Sequence, residues 1–128
     1  MRYLMMVKAD PKAGSGSPEL TTAIAKLTED MTKAGVLLDT GGMQAVVSGT
    51  ILKLAAGKIS ATDGPFTEAN EVVGGYAIVK VNSKEEAIAL ARQFLDIHAR
   101  ILGPTCVAET EVLRLYSREE IVLGGEAK

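Results

Sequence analysis

The residues best equipped for chemistry cluster in Asp63-Gly64-Pro65-Phe66-Thr67-Glu68 and, shortly after, Gly74-Gly75-Tyr76. Asp63 can hydrogen-bond backbone groups a residue or two ahead, while Gly64 admits unusual dihedrals. Pro65 fixes its own φ and keeps Gly64 out of the helical region. Two readings of Asp63 follow: it holds a rigid turn together, or it presents a carboxylate at a cleft mouth as acid, base or ligand hook. Phe66 and Tyr76 are the candidate ligand contacts beside it. Glu68 and Glu71 could supplement Asp63, but a solvated charged segment explains them more simply.

His98 is the only histidine. It falls four residues after Phe94 and seven after Ala91, a spacing that turns it toward the helix face meant for the sheet. It reads either as a hydrogen-bonded boundary residue or as an acid–base helper to Asp63. Arg114 interrupts an apolar strand, where it would pair with Glu111 or bind an anion, and is the third candidate ligand contact. Cys106 has no histidine near it in sequence to activate it. With no second histidine and no cysteine pair, no metal set is specified. The Gly74-Gly75 spacing is not that of a dinucleotide or phosphate loop, so no cofactor is expected. Two glycines inside an apolar strand cost about 0.5–1 kcal/mol each against alanine. A bulge or the close approach of another backbone would justify them.

These residues must be held by regular elements. Residues 2–8 read as a strand with Tyr3, Met5 and Val7 on one face and Leu4 and Met6 on the other. After a polar, glycine-bearing loop over 9–17, Ser17 is placed as N-cap and Pro18 as the first helical residue. Leu20, Ala23, Ile24, Leu27, Met31 and Ala34 form one helical stripe, which Gly35 ends. Val36–Leu38 lead to Gly41-Gly42. Strands over 45–54 and 58–61 then flank a turn at Ala56-Gly57, a hairpin pattern. Residues 72–81 make the clearest strand. Ser83-Lys84-Glu85-Glu86 is a capping box that opens a helix ending by Gly103-Pro104. A last strand spans about 107–116, and the tail 117–128 is charged and loose.

The resulting order of strand, helix, strand, strand, helix, strand predicts an α+β, ferredoxin-like βαββαβ domain over 1–116. A four-stranded antiparallel sheet would carry two helices on one face. The chain has 128 residues, enough for one domain with a real core. A net charge of -2 and an aromatic content of 4% argue against a nucleic-acid surface. The apolar start is too short for a signal peptide and no run could span a bilayer, so a cytoplasmic protein with no membrane partner is expected. Two helices cover only one face of such a sheet, yet strands 2–8 and 72–81 are apolar on both. The bare face predicts a homodimer with two sheets packed together.

At this point a resemblance emerges. The start Met1-Arg2-Tyr3-Leu4-Met5-Met6-Val7-Lys8, the segment Ala34-Gly35-Val36-Leu37-Leu38, the Asp63-Gly64-Pro65-Phe66 motif and Gly74-Gly75-Tyr76 resemble the DGPF-domain proteins of the wider YCII-related family. So do the Ser83-Lys84-Glu85-Glu86-Ala87 helix start and the acidic strand ending at Tyr116. The resemblance implies a subunit of the dimeric α+β barrel superfamily, with a small organic molecule bound or transformed in a pocket near the motif. It also implies an alternative, a non-catalytic regulatory partner, since some relatives accompany sigma factors. The YCII branch implies a His-Asp pair whose histidine lies on the first helix, but Pro18–Ala34 contains none. Asp63 is the only matching acid, and His98 comes from a different element. Relatives often end in Glu-Val-Arg, whereas here Glu111-Val112-Leu113-Arg114 carries one residue more. With the register kept, that residue turns the arginine to the opposite face.

Overall fold

The computed structural model describes residues 1–9, 18–42, 49–64 and 72–122. The Ser17 cap, the loop beyond Ala9, residues 45–48 of the expected strand, Pro65, Phe66, Thr67, Glu68, Glu71 and residues 123–128 lie outside them. Nine elements follow in chain order: β1 (Arg2–Ala9), α1 (Pro18–Lys33), β2 (Leu37–Gly42), β3 (Thr50–Ala55), β4 (Lys58–Asp63), β5 (Val72–Lys80), α2 (Lys84–Leu102), β6 (Glu109–Leu115) and α3 (Arg118–Val122). Four strands form an antiparallel sheet in the order β2-β5-β1-β6, and β3 and β4 form a separate two-stranded sheet. The architecture is α+β and compatible with a ferredoxin-like fold.

Local chemistry sets the ends of the helices. Gly35 sits at φ 74 just past α1, and Gly103 caps α2 at φ 84 with its N–H bonded to the Ala99 carbonyl. The Ser83 hydroxyl accepts from the Glu86 N–H at 3.2 Å, as the capping box predicts. The return bond differs: Glu86 accepts from the N–H of Asn82, one residue earlier than the motif prescribes.

Two expectations are corrected. The Leu37–Gly42 run, read as a lead into the hairpin, is itself the edge strand of the main sheet. The hairpin stands apart as an insertion between β2 and β5. Its Leu52, Leu54 and Ile59 share one face and are 70–75% exposed. The tail is also not uniformly loose. Ser117 and Glu120 form a reciprocal capping box that starts α3.

The cross-strand registers order the sheet into rows. On the face covered by α1 and α2, one row runs Leu37–Val79–Tyr3–Arg114 and the next Thr40–Ala77–Met5–Val112. Tyr3, Met5 and Val79 from these rows pack with Val81, Ala87 and Ala91 into the main core. A second cluster, Leu20, Leu27 and Ile97, joins the helices to each other. The opposite face carries the row Asp39–Ile78–Leu4–Leu113 and then Gly41–Tyr76–Met6–Glu111.

Candidate functional site

The third row on the helix-covered face is Gly42–Gly75–Val7–Thr110. Two of its four members have no side chain, so the layer that Val79 and Tyr3 fill at the other end is empty here. A cavity of about 410 Å³ results. Its floor is this row with Ala77 and Met5, and its roof is Ile24, Leu27 and Met31 of α1 with Leu90, Ala91 and Phe94 of α2. The size falls within the range of small-molecule sites, which are mostly apolar with a few placed polar groups.

Close backbone packing accounts for one of these glycines, Gly75. A Cβ on Gly75 would lie 3.0 Å from the Gly41 carbonyl oxygen. Gly74 is the extra residue where β5 slips against β1, since Val7 pairs with Gly75 and Lys8 with Val73. Both reasons offered for the glycine pair, a bulge and a close approach, thus apply. A Cβ on Gly42 would meet nothing nearer than the Gly74 carbonyl oxygen at 4.0 Å. There the missing side chain leaves room and relieves no clash.

The cavity's polar side chains are few. Among the described lining residues none is charged, and the polar ones are Thr28, Thr40, Tyr76 and Thr110. The Thr40 hydroxyl donates to the Tyr76 carbonyl at 2.9 Å. The Thr110 hydroxyl is buried and has no hydrogen-bond partner among the described residues. A buried polar group in that state is uncommon and asks for a partner.

Tyr76 joins both faces of the sheet. Its backbone borders the cavity, while its ring crosses Gly41 on the opposite face and its hydroxyl donates to Asp39 Oδ2 at 3.0 Å. Asp39 is held in turn by the Thr40 N–H at 2.9 Å. The hydrogen bond to the Asp39 carboxylate, helped by its negative charge, keeps the tyrosine hydroxyl protonated to higher pH than usual.

The structure separates the other candidates. Asp63 ends β4 and accepts a 2.5 Å hydrogen bond from the Thr50 hydroxyl across the hairpin, while Gly64 donates to the Gly49 carbonyl at 2.7 Å. His98 is half-buried on α2, its Nδ1 2.9 Å from the Phe94 carbonyl oxygen and its ring 4.5 Å from that of Phe94. Neither Asp63 nor His98 is among the described residues lining the cavity. Phe66 lies outside the described residues. Arg114 sits two rows from Thr110, donating to the Leu115 carbonyl and to Glu120 and lying 5.4 Å from the Tyr116 ring centre. Its expected partner Glu111 pairs with Lys8 instead, because Glu111 projects on the opposite face.

Sequence reading missed Asp39, Gly42 and Thr110. A second glycine pair at 41–42, echoing that at 74–75, was the available signal for where the sheet is bare. Among the described residues no group of three or more His, Cys, Asp or Glu is placed to hold a metal, and no helix is long and apolar enough to cross a membrane. Comparison with curated proteins finds no match. Comparison with family models matches the YCII-related domain to residues 1–97.

Proposed function

The chain belongs to the YCII-related family, and we propose that it binds or transforms a small organic molecule in the cavity between its sheet and its two long helices. The observation that carries this reading is the Gly42–Gly75 floor. Two facing glycines empty a core layer that the same sheet fills elsewhere, and a protein selected only for packing would close that space. The lining supports binding more directly than any particular reaction, because no acid–base pair borders it among the described residues. A thermal-shift screen with small organic compounds tests it. Ligands should raise the melting temperature of the wild-type chain, and Gly42→Val, which places a branched side chain in the cavity, should abolish those shifts while leaving the fold intact. Shifts that survive Gly42→Val would place the ligand elsewhere.

A homodimer is part of the same proposal. Ile78, Leu4 and Leu113 lie side by side on the face opposite α1 and α2, and Leu113 is 43% exposed. An apolar row of this kind is a natural surface for a second sheet.

A further inference from the structure

Building on the proposed cavity, we infer that Met31 is its specificity-determining residue. The methionine side chain stops an apolar group of the ligand at the inner end of the cavity, and so sets the longest such group it takes.

The cavity has an outer and an inner end. Same-face rows of a sheet lie about 7 Å apart along a strand. On β5, the step from Gly75 through Ala77 to Val79 leads from the glycine row into the filled core. The helix α1 runs the same way, because Gly35 stops it and Val36 hands the chain to Leu37, the partner of Val79. Ile24 and Met31 both line the cavity. They are seven residues apart on α1, two turns or about 10 Å. Met31 therefore stands at the inner end and Ile24 toward the glycine row. Between them the walls are Leu27, Leu90 and Phe94, so the group that reaches inward is apolar.

Met31 is the joint between cavity and core. It lines the cavity and packs against both hydrophobic clusters, the one on the sheet and the one between the helices. At this end Met5 belongs to the core itself, and Ala77 and Ala91 carry a single methyl each. The long side chain that closes the space from α1 is therefore that of Met31. Its backbone is fixed. The Met31 carbonyl accepts from the Val36 N–H at 3.0 Å, and the Thr32 carbonyl from the Gly35 N–H at 3.1 Å, the double closure of a glycine-ended helix. A change of side chain at this position thus alters the cavity and leaves the helix end in place. Methionine is unbranched and fills irregular space. Alanine would open the cavity toward the core, and phenylalanine would shorten it.

The test titrates straight-chain primary alcohols, from hexanol to dodecanol, into the full chain and reads affinity by calorimetry. Wild-type affinity should rise about fourfold per added carbon until the alkyl chain meets Met31, then level off. Met31→Ala should move that break about two carbons longer, and Met31→Phe about one carbon shorter. Ile24→Ala, at the outer end, should change the affinities of all lengths together and leave the break in place. The two substitutions of Met31 act in opposite directions, so either one that folds decides the matter. No break in the wild-type series, or the same break in wild type and in the Met31 variants, would overturn the role of Met31 and leave the cavity reading intact. A break that Ile24→Ala moves as far as Met31→Ala would do the same. Alcohols that fail to bind wild type, or that bind Gly42→Val as tightly, would overturn the cavity reading and this inference with it.

Discussion

The Tyr76 hydroxyl donates to the Asp39 carboxylate across 3.0 Å, and the ring reaches it by lying over Gly41. A Cβ on Gly41 would stand 2.8 Å from Tyr76 Cε1, closer than real contacts allow. Gly41 is therefore glycine for the benefit of a neighbouring strand's side chain. Gly41→Ala should displace the ring and lower the melting temperature by about 4 °C. In a Gly41→Ala/Tyr76→Ala double mutant the alanine should add little to the loss caused by Tyr76→Ala alone. Additive losses would mean that the ring and Gly41 are not coupled.

The same pair sets a pH dependence. The hydrogen bond from Tyr76 to Asp39, followed by the carboxylate's charge, holds the hydroxyl above the ordinary tyrosine value of 10.0. The protonated hydroxyl is the form the folded chain favours. Its contribution is complete below the pH at which an unfolded tyrosine ionises, and is lost as pH rises through the folded pKa. Ultraviolet titration, with the Tyr76→Phe curve subtracted, should show one tyrosine ionising late. Asp39→Asn should return it toward 10.0. A Tyr76 signal unaffected by Asp39→Asn would remove the carboxylate as the cause.

At the other end of the sheet, Glu120 titrates in the opposite sense. The Ser117 N–H donates to Oε1 at 2.8 Å, and this bond chiefly lowers the Glu120 pKa below 4.5. The Ser117 hydroxyl and the charges of Arg114 and Arg2 add to the lowering, and partial desolvation opposes it. The folded chain favours the ionised form. That contribution is present above the unfolded glutamate pKa and disappears as pH falls through the folded one. The protection of the Ile121 amide relative to its intrinsic exchange rate, which rests on its bond to the Ser117 carbonyl, should fall on acidification. Glu120→Ala should remove that protection at every pH. Protection that persists in Glu120→Ala would show that α3 does not depend on its cap.

The hairpin turn offers a stabilising change. Ala56 and Gly57 have φ of 53 and 77, the positive values that a two-residue hairpin turn of the mirror-image type needs. Glycine takes this conformation freely, but alanine is strained there by about 1 kcal/mol. Ala56→Asn should relieve much of that strain and slow amide exchange across the pairs Leu54–Ile59 and Leu52–Ala61. Unchanged or faster exchange would show that the turn does not limit the hairpin.

Features encoded within a few residues were legible in the sequence. The Ser83 capping box, the glycine stops at 35 and 103 and the Ala56-Gly57 turn each depend on neighbours in the chain. Strand β2 was not legible as a sheet strand, because Asp39, Gly41 and Gly42 break the β-branched and aromatic pattern of a strand. Its place comes from pairing with β5. The cavity was hidden for a related reason. Two glycine pairs are visible in the sequence, but that Gly42 faces Gly75 on the helix-covered side follows only from register. The Tyr76–Asp39 pair likewise joins residues 37 positions apart. Family motifs directed attention to Asp63, and its described contact is the Thr50 hydroxyl of the hairpin.

The uncovered sheet face yields the last prediction. Its first row, Asp39–Ile78–Leu4–Leu113, runs apolar across three strands, and the next ends in the Lys8–Glu111 ion pair beside Met6. The charges at that margin are thus matched within the chain, so they would not repel a second copy placed against it. Packing two such faces would bury Leu4, Ile78 and Leu113, a gain of about 2 kcal/mol for each side chain fully withdrawn from water. Sedimentation at micromolar concentration should give a species of twice the 13.5 kDa chain mass. Leu113→Lys should shift it to monomer, because a lysine in that row would carry its charge into the apolar layer between the two sheets. Leu52→Lys, on the exposed hairpin and off this face, should leave the mass unchanged. A wild-type monomer, or a dimer that survives Leu113→Lys, would exclude this face as the contact.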